Sequence, residues 1–404
     1  MKEIPTAPRC SIPLFFRSCF QLFFVVFLFF TLVDHLQAKV TGQCSNCHTM
    51  HNSQNGTNMV HVGTVGNYAS WDGGQIDNGV SFDPMPNLLV SDCVGCHSST
   101  SAQTIENIGS SRIPIVFNIG SAPTNPLAGG NFYWMVAEAD DTKGHNVHGI
   151  SDVDDNILES EGAPGQSQIG CSSAINSCHY SLSYAETTEG TPRKGGCQAC
   201  HETKHHGIDP AAGDPEDANS GWYRFLNMTR HSLPDANRPV YGIEDDDWEQ
   251  TLTSTDHNIY YGGFDSLGPG VSDPDENPET IGRFCAGCHD DFHASGHFLW
   301  AENGMGSPWL RHPADRIIPN SGEYTGVIGA TYNTTVPVGK QTLVGYNPGE
   351  VENGDKVICM TCHRAHGSPY SDMLRWDYTN MQSHTTGDTD TNGCFFCHRE
   401  KDDT

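Results

Sequence analysis

The sequence predicts a chain made mostly of loops and turns, with short helices and few short strands, wrapped around a continuous row of inserted groups in place of a conventional protein core. Three observations predict this. Only 36% of the 404 residues are hydrophobic, while Gly (43) and Pro (23) together make 66, which leaves a thin core for a chain of this length. The cysteines number 16, many for a long chain. And one five-residue pattern recurs six times, separated by long, unequal segments rich in Gly, Pro, Asn, Asp and Ser, such as Ser272-Asp-Pro-Asp-Glu-Asn-Pro278.

Residues 1–38 read as a secretory signal. Lys2, Arg9 and Arg17 precede an apolar run from Leu22 to Val33, and Leu36-Gln37-Ala38 offers a small-residue exit. The run is short of the roughly 20 residues a transmembrane span needs. An uncleaved anchor is the alternative reading. The mature chain, 39–404, is then expected to be a single domain beyond the inner membrane, secreted to the extracellular space or cell surface, with a periplasmic location as the alternative.

Setting aside the three basic and two acidic residues of that segment leaves 18 Lys+Arg against 47 Asp+Glu, a net charge of −29. Such a surface excludes nucleic acid and anionic lipid as partners. Disulfide scaffolds are usually much shorter, so the cysteines need another use.

The recurring pattern supplies it. Cys44-Ser-Asn-Cys47-His48, Cys93-Val-Gly-Cys96-His97, Cys197-Gln-Ala-Cys200-His201, Cys285-Ala-Gly-Cys288-His289, Cys359-Met-Thr-Cys362-His363 and Cys394-Phe-Phe-Cys397-His398 all read Cys-x-x-Cys-His. Two cysteines three apart can form thioethers to the two vinyl groups of one haem, and the imidazole that follows then points at its iron. Zinc sites and redox dithiols also use Cys-x-x-Cys, but neither requires His next. With 21 His in the chain, six such coincidences have a chance probability on the order of 10^-8.

The two remaining mature cysteines form Cys171-x6-Cys178-His179. Two readings stand: an expanded haem attachment whose loop bulges away from the macrocycle, or a disulfide closing a short loop. The histidine in the demanded place favours haem, so the expectation is seven haems c, six of them fixed by motif.

Each iron has a second axial position, and the chain can fill it. Outside the motifs the mature sequence holds 13 further histidines. Met ligation would raise the potential, but the methionines show no pattern relative to the motifs. Low-potential bis-His haems are expected. His51 and His366 follow a motif His by three, His293 by four, and His205 and His206 follow His201 by four and five. On a helical turn such neighbours lie side by side, so the second cannot reach the opposite face of the haem that the first binds. It must serve a different haem, forcing two haems close together. Spacing and supply make His206, His257 and His293 distal candidates.

Short helices are expected after several motifs and brief strands around Gly326-Val-Ile-Gly329 and Thr335-Val-Pro-Val338. The acidic Glu244-Asp-Asp-Asp-Trp-Glu249 reads as solvated carboxylates in preference to a divalent-cation site.

Several stretches resemble the filament-forming extracellular multihaem cytochromes of metal-reducing bacteria, the cytochrome nanowires. They are Cys44-Ser-Asn-Cys-His-Thr-Met-His-Asn-Ser53, Lys143-Gly-His-Asn146, Phe284-Cys-Ala-Gly-Cys-His289, Leu310-Arg-His-Pro313 and Cys359-Met-Thr-Cys-His-Arg-Ala-His366. The resemblance implies a loop-rich protein around bis-His haems in alternating parallel and T-shaped pairs, with His145, His312 and His366 as distal ligands. It also implies a homopolymer in which His51 ligates a haem of the adjacent subunit.

The function expected on these grounds is passive electron conduction from a periplasmic or outer-membrane donor to an extracellular acceptor, with no catalytic residue. Two other classes remain. A multihaem oxyanion reductase would want an open iron, sometimes with a Lys ligand, and no Cys-x-x-Cys-Lys occurs. A monomeric periplasmic shuttle would share the haem chemistry without the His51 joint.

Overall fold

In a computed structural model, the described residues are 39–48, 50, 53–54, 57–58, 93–108, 111–151, 182, 196–211, 213–227, 238–264, 277–289, 312, 314–379 and 393–399. The chain divides into two compact units, Met1–Gln37 and Ala38–Thr404, and every described residue lies in the second. Among the described residues no helix is long and apolar enough to cross a membrane.

Each attachment motif folds into the same single turn. The carbonyl of the first cysteine accepts from the N–H of the histidine four residues on: 2.8 Å for Cys44 and His48, 2.9 Å for Cys93 and His97, 2.9 Å for Cys197 and His201, 3.0 Å for Cys285 and His289, 3.1 Å for Cys359 and His363, and 3.0 Å for Cys394 and His398. Positions three and four apart share a face of such a turn, so both sulfurs and the imidazole are presented together. The turns are Cys44–Asn46, Val94–His97, Gly196–Ala199, Ile281–Ala286, Cys359–Cys362 and Cys394–Cys397. These turns thus coincide with the motifs instead of following them, while the helix Tyr133–Glu138 stands apart from any motif. Thr280 caps the longest of them, its hydroxyl accepting from the Arg283 N–H.

Strands are few and mostly two residues long. Five of them form one sheet in the order Gly242–Ile243, Ile259–Tyr261, Gly339–Lys340, Lys356–Val357, Arg316–Ile317, with one parallel pairing, Gly339 to Tyr260. The strands expected at 326–329 and 335–338 are turns. Pairing to Ile259–Tyr261 begins only at Gly339, where a side chain would strike the Gly262 backbone.

Among the described residues the apolar core falls into separate small clusters, three of which lie against motif cysteines: Tyr223, Val240, Tyr260, Ile281, Phe284, Ile358 and Met360 beside Cys200, Cys285 and Cys288; Val94, Phe117, Phe132, Met135, Val147 and Ile150 beside Cys197; and Ile318, Val327, Tyr332, Val338 and Val351 beside Cys397. The buried ammonium of Lys340 donates to Asp355 Oδ2 (2.8 Å) and to the Glu350 carbonyl (2.6 Å). In 244–249 the carboxylates are spent internally. Glu244 pairs with Lys39 and Arg224, Asp245 accepts from the Asp247 and Glu249 N–H groups, and Glu249 accepts from the Asn258 N–H. The expectation of solvated carboxylates holds for the exposed Asp246 and is corrected for Asp245 and Glu249. Asp245 and Glu249 are buried because the turn needs their oxygens as acceptors.

Candidate haem sites

None of the twelve described motif cysteines is in a disulfide. Burial pushes Cys200 and Cys362 up to about 12 and Cys397 to about 11. At these three positions burial favours an uncharged sulfur, as in a thioether.

The imidazoles carry the sharper information. Five motif histidines face a second histidine: His48 faces His206 at 5.9 Å between ring centroids, His97 faces His205 at 6.3 Å, His201 faces His366 at 6.0 Å, His289 faces His145 at 6.2 Å and His398 faces His312 at 6.1 Å. Rings in direct contact come much closer, as His257 and Tyr332 do at 3.8 Å and 5°. A metal–imidazole bond is about 2.0 Å and a ring nitrogen lies about 1.1 Å from its centroid, so one metal between two imidazoles sets the centroids about 6.2 Å apart. The residues present therefore fit six-coordinate haem iron.

Ring orientation is fixed from behind. Nδ1 lies 2.8 Å from the Pro114 carbonyl in His97, 2.9 Å from Arg224 O in His201, 2.7 Å from Ala365 O in His145 and 2.7 Å from Asp372 O in His363. A carbonyl can only accept, so each Nδ1 carries the proton and Nε2 is left for iron. Burial also lowers the pKa of His97, His145, His201 and His363, and of His205 to about 4 and His366 to about 3. Neutral imidazole is the ligand form.

Neighbouring charges that add to these shifts reveal the order of the sites. His205 feels His97 and His206, His97 feels His201, His366 feels His201, His145 and His97, and His145 feels His363. Cys200 feels Cys288, Cys359 is hydrogen bonded to Cys285, and Cys362 feels Cys394 and Cys397. The six motifs follow one another in space as they do in sequence.

Of the sequence-derived distal candidates, His145, His206, His312 and His366 each face a motif histidine. His51, His293, Cys171, Cys178 and His179 lie outside the described residues. His257 is a correction: it is buried, its Nδ1 and Nε2 face the Asn258 and Pro348 carbonyls at 2.8 and 3.0 Å, and no ring nitrogen is left for a metal. His205, not among those candidates, also faces a motif histidine, His97. The signal for it was its place beside His206 in a tight turn, where two adjacent side chains diverge toward two neighbouring sites. Among the described residues no histidine ring faces His363.

Six attachment turns threaded on loops with little regular structure define a class, the multihaem c-type cytochromes, which are electron-transport proteins. Within that class, the chain is similar to the C-type cytochrome OmcS of Geobacter sulfurreducens, 25% identical over 390 residues covering 83% of this chain and 78% of that one. The doubled CXXCH motif family matches residues 349–403, the last two motifs. Two solved structures, the Outer Membrane Cytochrome S Filament and the OmcS nanowires, both from Geobacter sulfurreducens, align at 19% identity over 84% of this chain and 85% of theirs, with TM-scores of 0.38 and 0.39.

Proposed function

We propose that this chain conducts electrons through a row of six to seven covalently bound haems c, each closed by two imidazoles, as the subunit of an extracellular filament. The observation that carries the reading is the set of five facing imidazole pairs at 5.9–6.3 Å in one continuous row. Haem supplies the reversible one-electron couple. The chain's residues do the rest: Cys44/Cys47, Cys93/Cys96, Cys197/Cys200, Cys285/Cys288, Cys359/Cys362 and Cys394/Cys397 anchor the rings, with Cys171/Cys178 as the seventh pair. His48, His97, His179, His201, His289, His363 and His398 are the proximal ligands. His206, His205, His366, His145 and His312 close the first, second, fourth, fifth and last of those with described partners, in the pairings given above.

An iron with both axial positions filled has no place for substrate, which suits electron transfer and not oxyanion reduction. His51 sits three residues past His48, whose ring already faces His206. A neighbouring subunit that took His51 as a ligand to one of its irons would join the filament. The filament named in the relatives' titles and the expected leader at 1–38 support assembly outside the cell.

Cryo-electron microscopy of the protein secreted by its host tests this, with mass spectrometry of haem peptides for the count. Filaments with His51 on a neighbour's iron are expected, and a haem on Cys171 and Cys178. Discrete particles with His51 free or bound within its own chain would overturn the polymer and leave a soluble shuttle. A disulfide at Cys171 and Cys178 would fix the count at six.

A further inference from the structure

His398, the histidine of the last motif, is held differently from His97, His201 and His363. Its Nδ1 lies 3.0 Å from Oε2 of Glu323, a carboxylate, where His97, His145, His201 and His363 have backbone carbonyls. The contact is built into the fold. Glu323 sits in the 3-10 turn Gly322–Tyr324, its backbone carbonyl accepts from the Arg399 N–H at 2.9 Å, and the Arg399 guanidinium donates to the Gly326 carbonyl at 2.6 Å. The turn and the last motif are therefore latched on both sides of the ring. The Tyr324 hydroxyl is hydrogen bonded to the same carboxylate, and its ring lies 5.2 Å from that of His398. His398 and its carboxylate partner are both largely buried, so the charge is incompletely screened.

From this geometry we infer that Glu323 is a positioning and tuning residue for the haem held by Cys394, Cys397 and His398. The inference rests on the reading of His398 as an iron ligand. A carboxylate accepting from Nδ1–H pulls the proton away from the ring and gives it imidazolate character. A more basic ligand stabilises ferric over ferrous iron, so this haem holds its electron less tightly than it would with a backbone carbonyl behind the ring. Tyr324 moderates the effect by drawing charge toward its own hydroxyl. Because the last motif ends the row, the carboxylate sets the energy of the electron at the chain's exit or entry.

The ring planes give a handle on this one site. His312 and His398 stand at 85°, the most nearly perpendicular of the five pairs; the others stand at 17°, 29°, 48° and 53°. Near-perpendicular axial planes leave the iron's d orbitals near-degenerate and give a low-spin EPR signal at large g, separate from those of near-parallel planes. The experiment is a redox titration of the purified full-length holoprotein followed by that signal, in wild type, Glu323→Gln and Tyr324→Phe. Glu323→Gln keeps an acceptor and removes the charge. It is expected to shift the reduction equilibrium of this haem about tenfold toward the ferrous state, 59 mV for one electron, while the other components stay in place. Tyr324→Phe is expected to shift the same component the opposite way, which a loss of structure would not do. Full haem content with neither variant moving the large-g component overturns the proposal. Absence of haem from the Cys394–Cys397 peptide of the wild type overturns instead the ligand reading beneath it. If Glu323→Gln loses that haem, the direction of the Tyr324→Phe shift decides.

Discussion

His205 and His206 are adjacent in the chain and face two different motif histidines: His205 lies over His97 at 6.3 Å and His206 over His48 at 5.9 Å. Four residues earlier His201 faces His366. Six residues of backbone therefore present imidazoles to three neighbouring sites.

Separate replacements of the two histidines should be separable by spectroscopy. His206→Ala is expected to convert one haem equivalent, that of Cys44 and Cys47, to a high-spin five-coordinate form, and His205→Ala that of Cys93 and Cys96. Haem content should be unchanged in both, since the thioethers remain. High-spin EPR intensity with haem-peptide mapping checks it, and an unaltered low-spin spectrum in either variant would remove that pairing.

Gly129 is a place where the backbone must pass close to a ligand. A Cβ there would sit 3.0 Å from Nδ1 and 3.2 Å from Cε1 of His366, whose own N–H donates to the Gly129 carbonyl at 2.7 Å. Gly129→Ala should cost about 1–3 kcal/mol and perturb the haem of His201. Gly120→Ala strains a φ of +75° but meets nothing within 4 Å, so it should lower stability without touching any haem spectrum. Thermal melts paired with absorption spectra distinguish the two, and equal spectral effects would refute the assignment.

Stability should fall as pH rises from about 4.5 to 7. Burial, reinforced by Glu244 and opposed by Lys39, pushes Glu216 up to about 7, and burial together with Asp247 pushes Asp245 to about 6. Each folded-state value is above that of an unfolded carboxyl, so the folded chain holds more protons in this window. The stabilisation is complete below the unfolded value and lost as pH passes the folded one. Glu216→Gln, neutral throughout, should melt above wild type at pH 8 and converge with it near pH 4. A constant offset across that range would exclude this carboxyl as the cause.

The Lys340–Asp355 pair stands in the interior, with both side chains almost wholly inaccessible. Removing one partner leaves a buried charge uncompensated, and Asp355→Ala is expected to cost about 3–5 kcal/mol. Chemical denaturation of the holoprotein measures it. A loss below 1 kcal/mol would show that Glu352 and the Glu350 carbonyl hold the ammonium unaided.

The attachment turns were fully legible in the sequence, because five consecutive residues carry the whole geometry: a one-turn hydrogen bond from the first cysteine carbonyl to the histidine N–H aligns both sulfurs and the ring. The scarcity of regular structure was legible too, from the Gly, Pro and low hydrophobic content. Spacing also showed that a histidine three to five residues past a motif serves another site, since side-by-side neighbours cannot reach opposite faces of one ring. What no local pattern contains is which site. His145 meets His289, His201 meets His366 and His312 meets His398 across long stretches of chain, through long-range contacts such as the bridge of Gly130 against Gly367. The same reason governs His257: its composition is that of a ligand, and the carbonyls of Asn258 and Pro348 that occupy its nitrogens are brought there by tertiary packing. The sequence by itself thus determined the six attachment turns and the scarcity of regular structure around them. The tertiary structure decided the order of the row, the partner of each imidazole and the carboxylate behind His398, because those depend on contacts between residues far apart along the chain.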